Sequence, residues 1–104
     1  MILSICIPTF NRSSNLHNCL NSIKLNLCDR QDCYEICISD NSEDQKSQDI
    51  VSKYKESLPI KYNKNQSNIG RVKNYLKVVD MACGKFIWLI GDDDLLVPNA
   101  IKKI

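Results

Sequence analysis

The sequence predicts an α/β protein, a doubly wound, mostly parallel sheet with helices on both faces. Three observations lead there. Apolar runs such as Ile2-Leu3-Ser4-Ile5-Cys6-Ile7 and Phe86-Ile87-Trp88-Leu89-Ile90 are nearly unbroken, as strands covered on both faces are. The segments between the strands carry apolar residues at helical spacing. Strand and helix alternate four times along the 104 residues, and right-handed crossovers then make the sheet parallel.

The first strand is stopped by Pro8. Ser13 and Ser14 can cap a helix on which Leu16, Leu20, Ile23 and Leu27 form one face, ending near Cys28. Tyr34 to Ser39 reads as the second strand, and Asp40-Asn41-Ser42 as a turn capping a polar helix with Ile50, Val51 and Tyr54. Pro59 breaks that segment, Ile60-Lys61-Tyr62 is a weak edge strand, and Asn63 to Asn68 is a polar loop. Asn68 can cap a third helix whose stripe Ile69, Val72, Leu76, Val79 and Cys83 is expected to face the sheet, with Ile69, Val72 and Leu76 against Ile5 and Ile87. Gly84 closes it, Lys85 to Ile90 is the fourth strand, and Pro98 opens a last helix cut off at Ile104.

Composition excludes several classes of function. With 43% hydrophobic and 25% charged residues the chain has ordinary globular usage. A net charge of +2, with Lys and Arg scattered over every segment, argues against a nucleic-acid partner. No apolar run reaches the ~20 residues of a membrane span, and Met1 to Ile5 lacks a basic leader, so a cytoplasmic chain without a transmembrane segment is expected. Without a secretion signal, the six cysteines are not expected to form a disulfide scaffold. Cys6, Cys19, Cys37 and Cys83 read as core thiols, whereas Cys28 and Cys33 flank a loop without further metal ligands nearby, the one histidine, His17, reading as exposed.

In a doubly wound sheet ligands bind outside the carboxyl ends of the strands. The polar tips fall there: Thr9, Asn11 and Arg12 after strand one, Asp40 and Asn41 after strand two, Asn68 to Arg71 after strand three, and Asp92, Asp93 and Asp94 after strand four. Adjacent carboxylates at a strand end repel one another, so the triplet makes most sense with a divalent cation between them, and such a cation brings a phosphate. Neither GxGxxG nor GxxxxGK[ST] occurs among only three glycines, so a diphosphate would rely on a cation with help from Arg12 or Arg71. A calcium loop at Asp40 fails because Gln45 stands where its glycine belongs.

Ser4 to Arg12, Ile38 to Ser42, Asn68-Ile69-Gly70-Arg71 with Asn74, and the strand ending in Gly91-Asp92-Asp93-Asp94 together resemble the N-terminal half of a family 2 glycosyltransferase of the GT-A, Rossmann-like fold. The resemblance covers essentially the whole chain. It implies that residues 1–104 are the donor-nucleotide-binding part of such a domain, truncated before the acceptor-binding half and the general base, and inactive alone. Pro8, Thr9, Asn11 and Arg12 would line the nucleotide pocket, Asp40 would accept a hydrogen bond from the base, and Asn68, Gly70 and Arg71 would lie over the base or diphosphate. Because Gly91 occupies the first position of the commonest Asp-x-Asp-Asp pattern, the preferred register gives Asp92 the ribose or diphosphate and Asp93 the metal, Mg²⁺ or Mn²⁺, with Asp94 a supporting group or the second ligand of an Asp92-x-Asp94 pair. The reaction implied is sugar transfer, with inversion, from a nucleotide-diphosphate sugar of UDP type to a saccharide or lipid-linked acceptor in cell-surface polysaccharide synthesis, by a cytoplasmic or membrane-peripheral enzyme. The alternative is a non-catalytic nucleotide- or metal-binding module.

Overall fold

A computed structural model of the chain describes residues 2–27 and 33–92. Its elements are β1 (Leu3–Thr9), α1 (Ser13–Leu27), β2 (Tyr34–Asp40), α2 (Lys46–Tyr54), β3 (Ile60–Lys64), α3 (Arg71–Asp80) and β4 (Phe86–Leu89). The sheet runs β3-β2-β1-β4 with every pair parallel, Leu3 opposite Tyr34 and Phe86, and Ile36 opposite Ile60. Successive strands step away from β1 until β3, after which the chain returns to place β4 on the other side of β1. That reversal opens a crevice between the carboxyl ends of β1 and β4.

One face of the sheet carries Leu3, Ile5, Ile7, Tyr34, Ile36 and Ile38, packed under Leu16, Leu20 and Ile23 of α1 and Val51 and Tyr54 of α2. Strand alternation sends Cys6 and Cys37 to the opposite face, where Val78 of α3 covers them. The hydrogen bond with its neighbour Cys6, and then burial, push the Cys37 thiol far above its ordinary range, so it stays protonated. Cys6, Cys19 and Cys37 are the buried thiols expected from the sequence. Cys83 is instead exposed.

The third helix differs most from expectation. Val72 and Leu76 are 69% and 66% exposed, and the residues α3 buries are Asn74 and Val78. Ile5 therefore packs under α1 and α2 and not against Val72 or Leu76. Polar bonding sets the rotation: Asn74 Nδ2 donates to the carbonyl of Ser39 at 3.1 Å, which turns that side of the helix inward. Asn68 does not cap the helix. Gly70 holds the N-cap position at φ +89°, and Asn68 Oδ1 accepts from the Gly70 N–H instead.

Smaller departures follow the same logic. β3 runs two residues beyond the expected Tyr62, because Ser39 and Asp40 extend its ladder to Asn63 and Lys64. Gln45, not the Asp40–Ser42 turn, precedes α2. The expected last helix, Pro98 to Ile104, and the loop flanked by Cys28 lie outside the described residues.

At the amino end of the strands a buried polar cluster holds the sheet in register. Glu35 accepts from Ser4 Oγ and from the Cys83 N–H, each at 2.6 Å, and pairs with Lys61 at 2.9 Å. Burial pushes its carboxyl up, but these donors outweigh burial and hold it below the usual carboxylate range. Lys61 also donates to the Met81 carbonyl, and the Gly84 N–H donates to Ser4 Oγ at 2.8 Å. The turn from α3 into β4 is thereby fastened to β1 and β2, which fixes how far along β1 the strand β4 lies.

Candidate functional site

The carboxyl ends of the strands frame a cleft of about 550 Å³. β1 and its following loop supply Pro8, Thr9, Phe10 and Arg12; Asn41 follows β2. The segment entering α3 and the helix's first turns supply Asn68, Gly70, Arg71, Asn74 and Tyr75, and the segment after β4 supplies Gly91 and Asp92. Four separate segments thus converge, as the placement of the polar tips predicts.

Asp92 is the acidic wall. It is only 6% exposed, and Thr9 Oγ1 donates to its Oδ2 at 2.7 Å while Arg12 Nη1 stands 3.7 Å from Oδ1. Thr9 and Asp92 meet because Thr9 ends β1 and Asp92 follows the neighbouring β4 by three residues, at the reversal point. Arg12, about half exposed, and Arg71 bring positive charge to the rim, suited to a phosphate. Asp93 and Asp94, the expected metal residues, lie outside the described residues. Among the described residues Asp92 is the one carboxylate on the cleft, and no group of three potential ligands forms. Its hard oxygen donors fit Mg²⁺ or Mn²⁺ in kind, as one part of a ligand set.

Two expected residues stand off the cleft. Asn11 sits behind it at φ +52°, accepting the Glu43 N–H on Oδ1 while its own N–H donates to Ser42 Oγ at 2.8 Å, so it shapes the β1–α1 loop. Asp40 has no exposed surface: the Ser42 N–H donates to Oδ1 at 2.8 Å and the Tyr62 hydroxyl to Oδ2 at 2.6 Å. Burial and then the Asp40 carboxylate push the Tyr62 phenol well above its ordinary range, keeping it a donor.

Phe10 lies within the Pro8–Arg12 loop expected to line the pocket, whereas Tyr75 on the cleft carries no signal in the sequence. Asn41 and Asn74 are identifiable as tips, but their work emerges only in three dimensions. Asn41 Nδ2 donates to the Gly70 carbonyl at 3.1 Å, and its Oδ1 accepts the Ile69 N–H at 3.3 Å. Both bonds tie the segment entering α3 to the end of β2.

A family model described as glycosyl transferase family 2 matches residues 4–104. The chain belongs to glycosyl transferase family 2. The family 2 chain is 36% identical to the abequosyltransferase RfbV of Salmonella typhimurium, covering 97% of this sequence and 31% of RfbV. It is 33% identical to the GalNAc(5)-diNAcBac-PP-undecaprenol beta-1,3-glucosyltransferase of Campylobacter jejuni, covering 98% and 33% of the two. TarS of Staphylococcus aureus, residues 1–349 solved with UDP, superposes with a TM-score of 0.90 at 27% identity, covering 99% of this chain and 30% of that one. A mannosyltransferase of Pyrobaculum calidifontis, TM-score 0.82 at 17% identity, shares the fold. The family 2 chain therefore spans about a third of the length of these curated relatives. The α/β fold is that of GT-A glycosyltransferases. No described helix is long and apolar enough to cross a membrane.

Proposed function

We propose that this chain is the donor-binding part of a glycosyltransferase domain that moves a sugar from a UDP-type nucleotide-diphosphate sugar to an acceptor hydroxyl. The observation that carries the reading is the cleft at the β1–β4 reversal, where Asp92, nearly buried and held by Thr9, faces an arginine-bearing rim. The binding of UDP by TarS supports the choice of nucleotide. The undecaprenol-linked acceptor named for the Campylobacter relative supports a saccharide or lipid-linked acceptor.

In this reading Pro8, Thr9 and Arg12 form one wall of the nucleotide site, Asn68, Gly70 and Arg71 close over the diphosphate, and Asp92 orients the ribose. Asp93 and Asp94 would complete the oxygen ligands of Mg²⁺ or Mn²⁺, which when bound neutralises the diphosphate. Asp40 recognises the base once the Tyr62 ring shifts, since its carboxylate is otherwise enclosed. An inverting displacement also needs a base for the acceptor proton, which we assign to the parent protein beyond Ile104.

Calorimetric titration of UDP in Mn²⁺, in Mg²⁺ and in EDTA tests the proposal, with GDP and dTDP as competitors. Metal-dependent UDP binding that Asp93→Ala abolishes is the expected result. Absence of nucleotide binding by a folded full-length parent overturns it. UDP binding without sugar transfer by that parent would favour a binding module.

A further inference from the structure

Asn65, the residue after β3, does not line the cleft, yet its amide lies where the supports of the cleft rim meet. Its Nδ2 donates to Asn41 Oδ1 at 2.7 Å and to Asn74 Oδ1 at 3.0 Å. Its own N–H donates to the Asp40 carbonyl at 2.9 Å, and its Oδ1 accepts from Asn63 at 2.8 Å. The directions of these bonds are imposed by the backbone. Asn41 must turn Oδ1 toward the Ile69 N–H and Nδ2 toward the Gly70 carbonyl. Asn74 must turn Nδ2 toward the Ser39 carbonyl, which leaves its Oδ1 pointing away from the sheet. Two acceptors therefore face position 65: Asn74 Oδ1, which Asn65 serves as donor, and Asn41 Oδ1, whose second lone pair it fills beside the Ile69 N–H.

A primary amide meets that demand, with two N–H groups on one atom; a carboxylate has none and a hydroxyl has one. We infer that Asn65 is a positioning residue of the donor site, acting through Asn41 and Asn74 to hold the Asn68–Arg71 rim over the cleft. The inference rests on the donor-site reading for its consequence, though not for its geometry. Asn65→Asp is the sharp test, since it keeps the shape and removes both donors, setting a negative charge against two amide oxygens.

Hydrogen exchange on the unliganded chain reads the geometry. In Asn65→Asp the Ile69 N–H, held by Asn41, should exchange about tenfold faster or more, while the β1–β2 ladder amides keep their rates. Calorimetry with UDP and Mn²⁺ reads the consequence: affinity should fall about tenfold in Asn65→Asp and less in Asn65→Ser, which retains one donor. Asn65→Ser also carries the test if the aspartate variant does not fold. An unchanged Ile69 rate overturns the network, and unchanged UDP affinity beside a loosened rim overturns the positioning role. Failure of the folded full-length parent to bind UDP overturns the donor-site reading and with it this role, an outcome visible before any variant is made.

Discussion

Thr9 Oγ1 at the end of the inner strand β1 and Asp92 Oδ2 in the turn after the edge strand β4 are 2.7 Å apart across 83 positions of sequence. The bond joins the two sides of the reversal point. A hydroxyl donor to a nearly buried carboxylate is charge-assisted, stronger than a neutral pair. Thr9→Val keeps the shape and removes the donor, leaving Asp92 short of a partner. The expected loss is about 1–3 kcal/mol in urea denaturation, with UDP affinity falling as well, and Thr9→Ser should restore most of both.

Gly84 and Gly70 should respond differently to alanine. A Cβ on Gly84 would lie 2.7 Å from Ser4 Oγ, 2.8 Å from Ser4 N and 2.9 Å from the Leu3 carbonyl carbon, two of them backbone atoms that cannot swing aside. Gly84→Ala should therefore shift β1 against β4 and cost about 1–3 kcal/mol. Gly70 has open space around it, and its cost arises from φ +89°, ψ 161°, a region that L side chains rarely adopt. Gly70→Ala should lower nucleotide affinity by moving the rim while leaving the β-ladder amides protected, as hydrogen exchange would show.

The Glu35 cluster gives a pH dependence of known sign. Because the folded carboxyl lies below its ordinary value of 4.5, its contribution is fully present above that value and is lost as pH falls through the lower folded one. Glu35→Gln should destabilise the chain at neutral pH, and the gap between variant and wild type should close in acid. Denaturation midpoints taken across that range check it; a constant gap would mean that packing, not charge, is what glutamine disturbs.

Tyr62→Phe removes the donor to Asp40 Oδ2. An enclosed carboxylate that loses one of its donors should cost about 1–3 kcal/mol. Since the folded phenol lies above its ordinary range, this contribution is whole at neutral pH and is lost as alkali ionises the group. Ultraviolet titration should show a late-ionising tyrosine in the wild type that is missing from the variant.

The fold is legible in the sequence where one physical rule decides it. β1 and β2 are continuous and apolar because both faces are covered, and alternation with helices then fixes a parallel sheet. The face of α3 is not legible, since its rotation depends on Asn74 reaching strand carbonyls 35 and 65 residues away, and periodicity records no such bond. The site divides the same way. Thr9, Arg12, Asn68, Gly70, Arg71 and Asp92 are identifiable as tips at one sheet edge and do line the cleft. Asp40 is a tip too, but Tyr62 on the neighbouring strand encloses it, and strand pairing is needed to see that. The Glu35–Lys61 pair is hidden because charges in two separate strands do not announce that they will share a face.

β4 pairs with β1 over only four residues and has no partner on its other side among the described residues. The cleft's acidic wall follows that short strand, so the cleft exists only where β4 is paired with β1. Folding that brings β1, β2 and β3 together yields a sheet that still lacks a site. A ligand that grips Asp92 therefore acts as a clasp on the strand with the shortest pairing, drawing the population toward the assembled domain by mass action.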